Sequence, residues 1–209
     1  EEKFPIINAK SQAYNFTNEG ASDGGIRFLK NIMGMWIQQE SIRYWEKEGE
    51  EIAFKELDEE TLACAEFPAA IDPNDSRFLK PNSSHSPMPQ RIREYCRENG
   101  MEIPEKKGEY MAAIYRGLAK AYAKYVEQLA ELTGKTFTAL YIIGGGSKNF
   151  ILNQWTANET GMTTYAGPIE ATALGNILTQ AIAVGDIKDK FEGRKIIRKS
   201  QNVKEFQPE

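Results

Sequence analysis

A chain of 209 residues is long enough to bury a proper core, as one domain or as one domain with an insertion. Its 41% hydrophobic and 27% charged residues are those of an ordinary soluble globular protein, and a net charge of -4 leaves no basic footprint, which argues against nucleic acid and membrane as partners. No apolar run approaches a membrane span, the opening Glu1-Glu2-Lys3-Phe4-Pro5 is no signal peptide, and two cysteines cannot make a disulfide framework.

In chain order, Phe4-Pro5-Ile6-Ile7 and Tyr14-Asn15-Phe16-Thr17 read as strand-like pieces separated by a polar turn, and the chain opens abruptly, as a fragment would. A loop rich in turn residues follows over 17–25, with Asp23 as N-cap of the next helix. Ile26, Leu29, Met33, Trp36 and Ile37 recur at helical spacing, and Phe28, Ile32 and Met35 widen the stripe, so a mostly buried helix is predicted that runs into the acidic stretch at Glu46. Gly34 inside that helix would cost about 1 kcal/mol against alanine, which predicts something packed against it. The acidic stretch 46–60 reads as solvated surface, with Asp58 as an N-cap and Leu57 and Leu62 as a hydrophobic staple. Five prolines between Pro68 and Pro89 predict a long ordered loop. Within it Asp72, Asn74 and Asp75 lack the spacing of a calcium loop, and Asx-turn chemistry is the reading favoured. Met88, Ile92, Tyr95 and Cys96 mark one face of a helix ending at Gly100; Met111 to Leu132 mark a long helix closed by Gly134. Cys64 and Cys96 lie on apolar helix faces without a catalytic motif, as buried thiols in a reducing cytoplasm would. His85, the single histidine, has no second ligand near it in sequence and reads as a solvated loop residue.

The most informative stretch is 138–185. Leu140-Tyr141-Ile142-Ile143 is a short apolar run ending in three glycines, as a buried strand of an α/β sheet meets a ligand at its carboxyl end. A helix over 149–160, a strand over 163–166 and a helix over about 170–184 complete a strand-helix-strand-helix unit. A Walker loop is rejected because Gly146-Ser147-Lys148-Asn149 lacks the Gly-Lys-Ser/Thr ending. A dinucleotide fingerprint would place a glycine at Asn149 and an acidic residue after the second strand, where Tyr165-Ala166-Gly167 stands. One or two glycines make a turn; three in a row favour close approach by a ligand, a nucleotide above all. The tail 186–209 reads as a surface segment docking on the domain before it.

Ile142-Ile143-Gly144-Gly145-Gly146-Ser147-Lys148-Asn149, with Asn153-Gln154 and Ala157, resembles the adenosine motif of the FGGY carbohydrate kinases, members of the actin-like ATPase superfamily. The stretch from Ala166-Gly167-Pro168 through Gly175-Asn176 resembles the rhamnulokinase branch, and the likeness runs from about Asn15 to Val184. It implies an α/β, actin-like (ribonuclease-H-like) ATPase domain with a helical insertion over 1–209, the C-terminal half of a two-domain kinase. It further implies a cytoplasmic ATP- and Mg2+-dependent phosphorylation of a sugar hydroxyl, with L-rhamnulose favoured. By the match of Leu29-Lys30-Asn31-Ile32-Met33-Gly34, Asn31 would contact the sugar and Gln39 the ATP; at about 1.5 Å per residue they would lie roughly 12 Å apart along the predicted helix. Gln38 competes with Gln39 for that role. Gly144, Gly145, Gly146 and Asn149 would shape the adenosine pocket. The family's catalytic aspartate and most of its sugar pocket belong to the N-terminal kinase domain of the same chain, so no catalytic residue and no metal ligand is assigned here, and residues 1–209 alone are expected to phosphorylate nothing. Two other readings stay open: an actin-like ATPase or activator domain that is not a sugar kinase, and a bare binding module.

Overall fold

The structure, a computed structural model, describes residues 2–21, 24–83 and 85–209. It divides into two compact units, Glu1–Phe137 and Thr138–Glu209. The sequence reads 1–209 as a single domain whose adenosine unit begins at 138; the structure draws a boundary at that same place.

The first unit opens with a short helix α1 (Ala9–Ala13), capped by the Asn8 side chain, and a hairpin of β1 (Thr17–Gly20) and β2 (Ile26–Leu29). The strand expected at 4–7 is absent, and that expected at 14–17 begins only at Thr17. The long helix predicted from 26 is also corrected: 26–29 is a strand, 30–34 is irregular, and helix α2 (Trp36–Lys47) starts at Trp36. Pairing with β1 supplies the reason, because a cross-strand partner six to twelve residues back satisfies the backbone of 26–29 and Phe28 stacks on Phe16 at 5.0 Å between ring centroids. The N-cap expected of Asp23 lies outside the described residues. Gly34 is accordingly not helical, and a Cβ there would meet nothing within 4 Å.

Helices α3 (Phe54–Ala63), α4 (Met88–Glu98) and α5 (Lys107–Thr133) complete this unit. Asp58 is no N-cap: α3 begins a turn earlier with Ala53 at its cap, Leu57 is buried and Leu62 is 46% exposed, so the staple does not form. The core is centred on the N-terminal half of α5, where Met111, Ile114, Tyr115 and Leu118 are fully buried, as are Ile37, Phe78, Met88, Ile92 and Cys96 of the other elements. Two glycines let neighbours reach the α5 backbone. A Cβ on Gly108 would stand 2.4 Å from the Glu60 carbonyl oxygen, and one on Gly117 would stand 2.0 Å from that of Ile71. As predicted, α5 closes on Gly134 in the left-handed conformation.

The proline-rich loop is ordered by buried polar anchors. The Arg91 guanidinium donates to the carbonyls of Arg77 (3.1 Å), Pro81 (2.8 Å) and Lys80 and to Ser86 Oγ (3.0 Å), while Glu40 accepts from the Asn82 amide at 2.7 Å. Both residues are almost fully buried, and saturating their hydrogen bonds is what makes that burial tolerable. Asx turns are present as expected, Asp72 accepting from the Asn74 amide and Asp75 from that of Arg77, each at 2.9 Å. Burial pushes the thiols of Cys64 and Cys96 above the usual range, so neither is a ready nucleophile.

The second unit holds β3 (Ala139–Ile142), helix α6 (Phe150–Thr160), β4 (Thr163–Ala166), helix α7 (Ala171–Val184), helix α8 (Lys190–Ser200) and β5 (Lys204–Phe206). Strands run in the order β3-β4-β5, with β3 parallel to β4 and β5 antiparallel to it. The predicted strand-helix-strand-helix unit is found within a residue at each end. The tail lies at the surface, with Gly193 its one buried residue among those described, and it is regular where no element was expected: it supplies a helix capped by Asp189 and the third strand of the sheet, Phe206 opposite Thr164. Helix α8 lies close to α7, with Leu178 3.2 Å from where a Cβ on Gly193 would be.

Candidate functional site

In the second unit, β3 and β4 end side by side, and the chain after each turns back across the strand ends. Residues Gly144–Lys148 form a tight 3-10 turn and Asn149 then caps α6, its side-chain oxygen accepting from the Leu152 amide at 2.9 Å. Hydrogen bonds join the two strand-end loops: the Gly167 amide donates to the Ile142 carbonyl at 2.8 Å and the Gly144 amide to that of Pro168 at 3.0 Å. Gly144 has φ of +76°, which favours glycine there on backbone grounds alone.

The turn is braced from inside. Ser147 Oγ donates to the Gly144 carbonyl at 2.6 Å, and the fully buried Asn153 donates from Nδ2 to the Ser147 carbonyl at 3.0 Å. Its outer side is bare: a Cβ on Gly145 would meet no protein atom within 4 Å, and one on Gly146 only Ile142 Cγ2 at 3.8 Å. Exposed Ile143 (58%) precedes it in sequence, and exposed Ile169 (44%) belongs to the neighbouring strand-end loop, its carbonyl oxygen 4.0 Å from where a Cβ on Gly144 would be. A rigid main-chain surface without side chains, with apolar neighbours, accepts a flat heterocycle such as adenine, whose ring loses little by stacking on peptide planes. Gly144, Gly145, Gly146 and Asn149 are thus brought together in one loop, with Asn149 spending its acceptor on the helix cap. Ser147, Asn153 and the Gly167-Pro168 loop, which hold that loop's shape, stand in the motifs quoted from sequence, but without this role.

Asn31 and Gln39 lie in the first unit. Asn31 is exposed on the irregular segment after β2, and Gln39 is exposed in the first turn of α2. The spacing along one helix expected of them therefore does not apply. Of the two glutamines, Gln38 is 7% exposed with Oε1 unpartnered, and Gln39 is the one that faces out. Beside Asn31, burial first and then the Lys124 ammonium lower the pKa of Lys30, with Asp72 opposing. A cavity of about 450 Å3 between α2, α4 and the start of α5 is lined by Trp45, Arg93 and Lys107 and by none of these candidates. Among the described residues, no group of three His, Cys, Asp or Glu side chains could hold a metal ion, and no helix is long and apolar enough to cross a membrane.

The chain is similar to known proteins of one family. The profile of the FGGY family of carbohydrate kinases, C-terminal domain, matches residues 1–184. The rhamnulokinase of Bacteroides thetaiotaomicron is 40% identical over 205 residues, 98% of this chain and 41% of that protein. The rhamnulokinase of Bacillus subtilis is 42% identical over 208 residues, 100% of this chain and 41% of that protein. Among solved structures, a xylulose kinase from Rhodospirillum rubrum superposes with a TM-score of 0.58 at 14% identity, over 93% of this chain and 38% of that one, which shows a shared fold. The chain thus spans about two fifths of the length of these relatives, and with a family profile covering 184 of its 209 residues it belongs to the FGGY family of carbohydrate kinases as a C-terminal domain.

Proposed function

We propose that this chain is the nucleotide-binding part of an ATP-dependent kinase of the cytoplasm that phosphorylates L-rhamnulose, with residues 1–209 working as one functional domain. The observation that carries the reading is the identity of 40% and 42% to two rhamnulokinases over nearly the whole chain. The braced, outward-bare glycine turn supports the nucleotide part of it.

In this reading the main chain of Gly144, Gly145 and Gly146 lies against the adenosine, Gln39 reaches the nucleotide through its amide, and the Asn31 carboxamide pairs with sugar hydroxyls as donor and acceptor. The acceptor hydroxyl oxygen bonds to the γ-phosphorus in line as the bond from that phosphorus to the bridging oxygen breaks; ADP leaves and the hydroxyl proton passes to a carboxylate. That carboxylate, by resemblance, belongs to the partner half of the longer protein, and Mg2+ would arrive on the nucleotide phosphates. In this reading the chain contributes contacts to ATP and one contact to the sugar, and positioning of the substrates is where most of the rate advantage of phosphoryl transfer arises.

ADP release by the full-length protein, measured with ATP, magnesium and a panel of ketoses, tests the proposal. Turnover with L-rhamnulose well above the other ketoses supports it; sugar-independent ATP hydrolysis overturns it in favour of an ATPase. Asn31→Leu keeps the volume but leaves hydroxyls unpaired, so kcat/KM for L-rhamnulose should fall about fivefold, near 1 kcal/mol, while KM for ATP stays within twofold. Equal damage to both substrates removes Asn31 from the sugar site.

A further inference from the structure

The Asp72-Pro73-Asn74-Asp75 turn carries one side chain whose hydrogen bonds reach beyond it. Asp72 and Asp75 close the Asx turns, and the Asn74 carboxamide, besides a long 3.4 Å bond from Nδ2 to Asp72 Oδ1, reaches out of the loop. Its Nδ2 donates to the Tyr125 hydroxyl of α5 at 2.7 Å, and its Oδ1 accepts from the Met33 amide at 3.4 Å. Those partners lie 51 residues ahead of it and 41 residues behind. Tyr125 in turn carries the Lys30 ammonium 4.7 Å above its ring, and the same ammonium donates to the Tyr14 carbonyl. Further along, Trp36 Nε1 donates to the Phe78 carbonyl at 3.2 Å, where α2 begins.

The irregular segment after β2 is therefore fastened on both sides of Asn31. Lys30 is held before it and Met33 after it, and both fastenings converge on Tyr125, while Asn31 itself stays exposed. A segment without regular hydrogen bonding otherwise has no means of fixing the direction of an exposed side chain. Asparagine suits the post because its carboxamide donates at one end and accepts at the other.

We infer that Asn74 and Tyr125 are positioning residues for the Asn31 carboxamide, setting specificity for a polyhydroxylated sugar through the segment that carries it. This rests on the reading of Asn31 as a sugar contact. A displacement of well under an ångström at Asn31 is enough to unmatch two hydroxyls, so the loss should fall on the sugar and spare the nucleotide.

The test uses the full-length protein with Asn74→Leu, which at similar volume removes the bonds to Tyr125 and Met33 along with the long one to Asp72, and Tyr125→Phe, which keeps the ring under Lys30 and removes only the hydroxyl. KM for L-rhamnulose should rise about three- to fivefold in the first and about twofold in the second, with KM for ATP unchanged; the double variant with Asn31→Leu should be no worse than Asn31→Leu alone. Amide hydrogen exchange over 30–34 should quicken several-fold in both, a readout that does not depend on what Asn31 binds. Unchanged exchange overturns the brace. Quickened exchange with an unmoved rhamnulose KM in Asn74→Leu, equal rises for both substrates, or multiplying losses in the double variant overturn the positioning role. An unmoved rhamnulose KM in Asn31→Leu itself overturns the sugar reading of Asn31, whatever the exchange shows.

Discussion

Gly117→Ala should destabilise the first unit by about 3 kcal/mol, the largest loss expected of so small a change in this chain. The added methyl would stand 2.0 Å from the Ile71 carbonyl oxygen and 3.0 Å from that residue's nitrogen and carbonyl carbon. Every atom it meets is backbone, so no side chain can rotate away. Ile71 is 1% exposed and its amide donates to the Ala113 carbonyl of α5 at 3.2 Å, so relief requires lifting the loop off the helix and breaking that bond in a buried place. Overpacking costs about 1–3 kcal/mol, and a 2.0 Å approach to backbone belongs at about 3; the bond costs about 1 more, and the helix propensity gained on leaving glycine returns about 1. Urea or thermal unfolding reads the result; for a domain of this size a loss of about 3 kcal/mol lowers Tm by roughly 10 °C. Gly34→Ala is the control, with no atom within 4 Å and a change expected within about 0.5 kcal/mol. Equal stability of the two variants would mean that the loop does not rest on α5 as closely as described.

The contrast between these two glycines shows where sequence was legible. The helical stripe from Ile26 to Ile37 made Gly34 look like a packing point, but that period was an accident of a strand, an irregular segment and the start of a helix placed end to end. Periodicity reports what a segment would do alone; the hairpin with β1 is a contact it does not encode. Gly117 carried no such mark, because a glycine inside a good amphipathic helix declares its neighbour only when the neighbour is known. The strand in the tail went unread for a related reason. Lys204-Glu205-Phe206 is too short and too charged to announce a strand, and it becomes one by pairing with β4. By contrast the unit from β3 to α7 was legible nearly to the residue, since strand, glycine turn, Asn cap and Gly stop are all local signals. Candidate residues at the glycine turn followed from the turn itself. Asn31 and Gln39 followed from resemblance alone, and their surroundings, above all the carboxamide of Asn74, depend on contacts across more than forty residues.

Gly145→Val in the full-length protein should raise KM for ATP at least tenfold, about 1.4 kcal/mol of binding, and leave KM for the sugar and the unfolding midpoint in place. The middle glycine is the informative one. At Gly144 the φ of +76° means that any side chain strains the backbone, so a loss of activity there would not distinguish a ligand from a turn. At Gly146 a valine would press on Ile142, whose Cγ2 already lies 3.8 Å from the first carbon. Gly145 has ordinary backbone geometry and no protein atom within 4 Å of a Cβ, so the protein alone gives no reason for glycine. A residue that folding does not require to be glycine, within a turn held rigid by Ser147 and Asn153, is accounted for by something outside the chain that needs the space. Valine fills that space with two methyl groups just where an adenosine would lie against the main chain. Steady-state kinetics with ATP varied at saturating sugar, beside a thermal melt of the same variant, gives the answer. A folded Gly145→Val protein with an unchanged KM for ATP would show that the three glycines only turn the chain, and would move the nucleotide away from this loop.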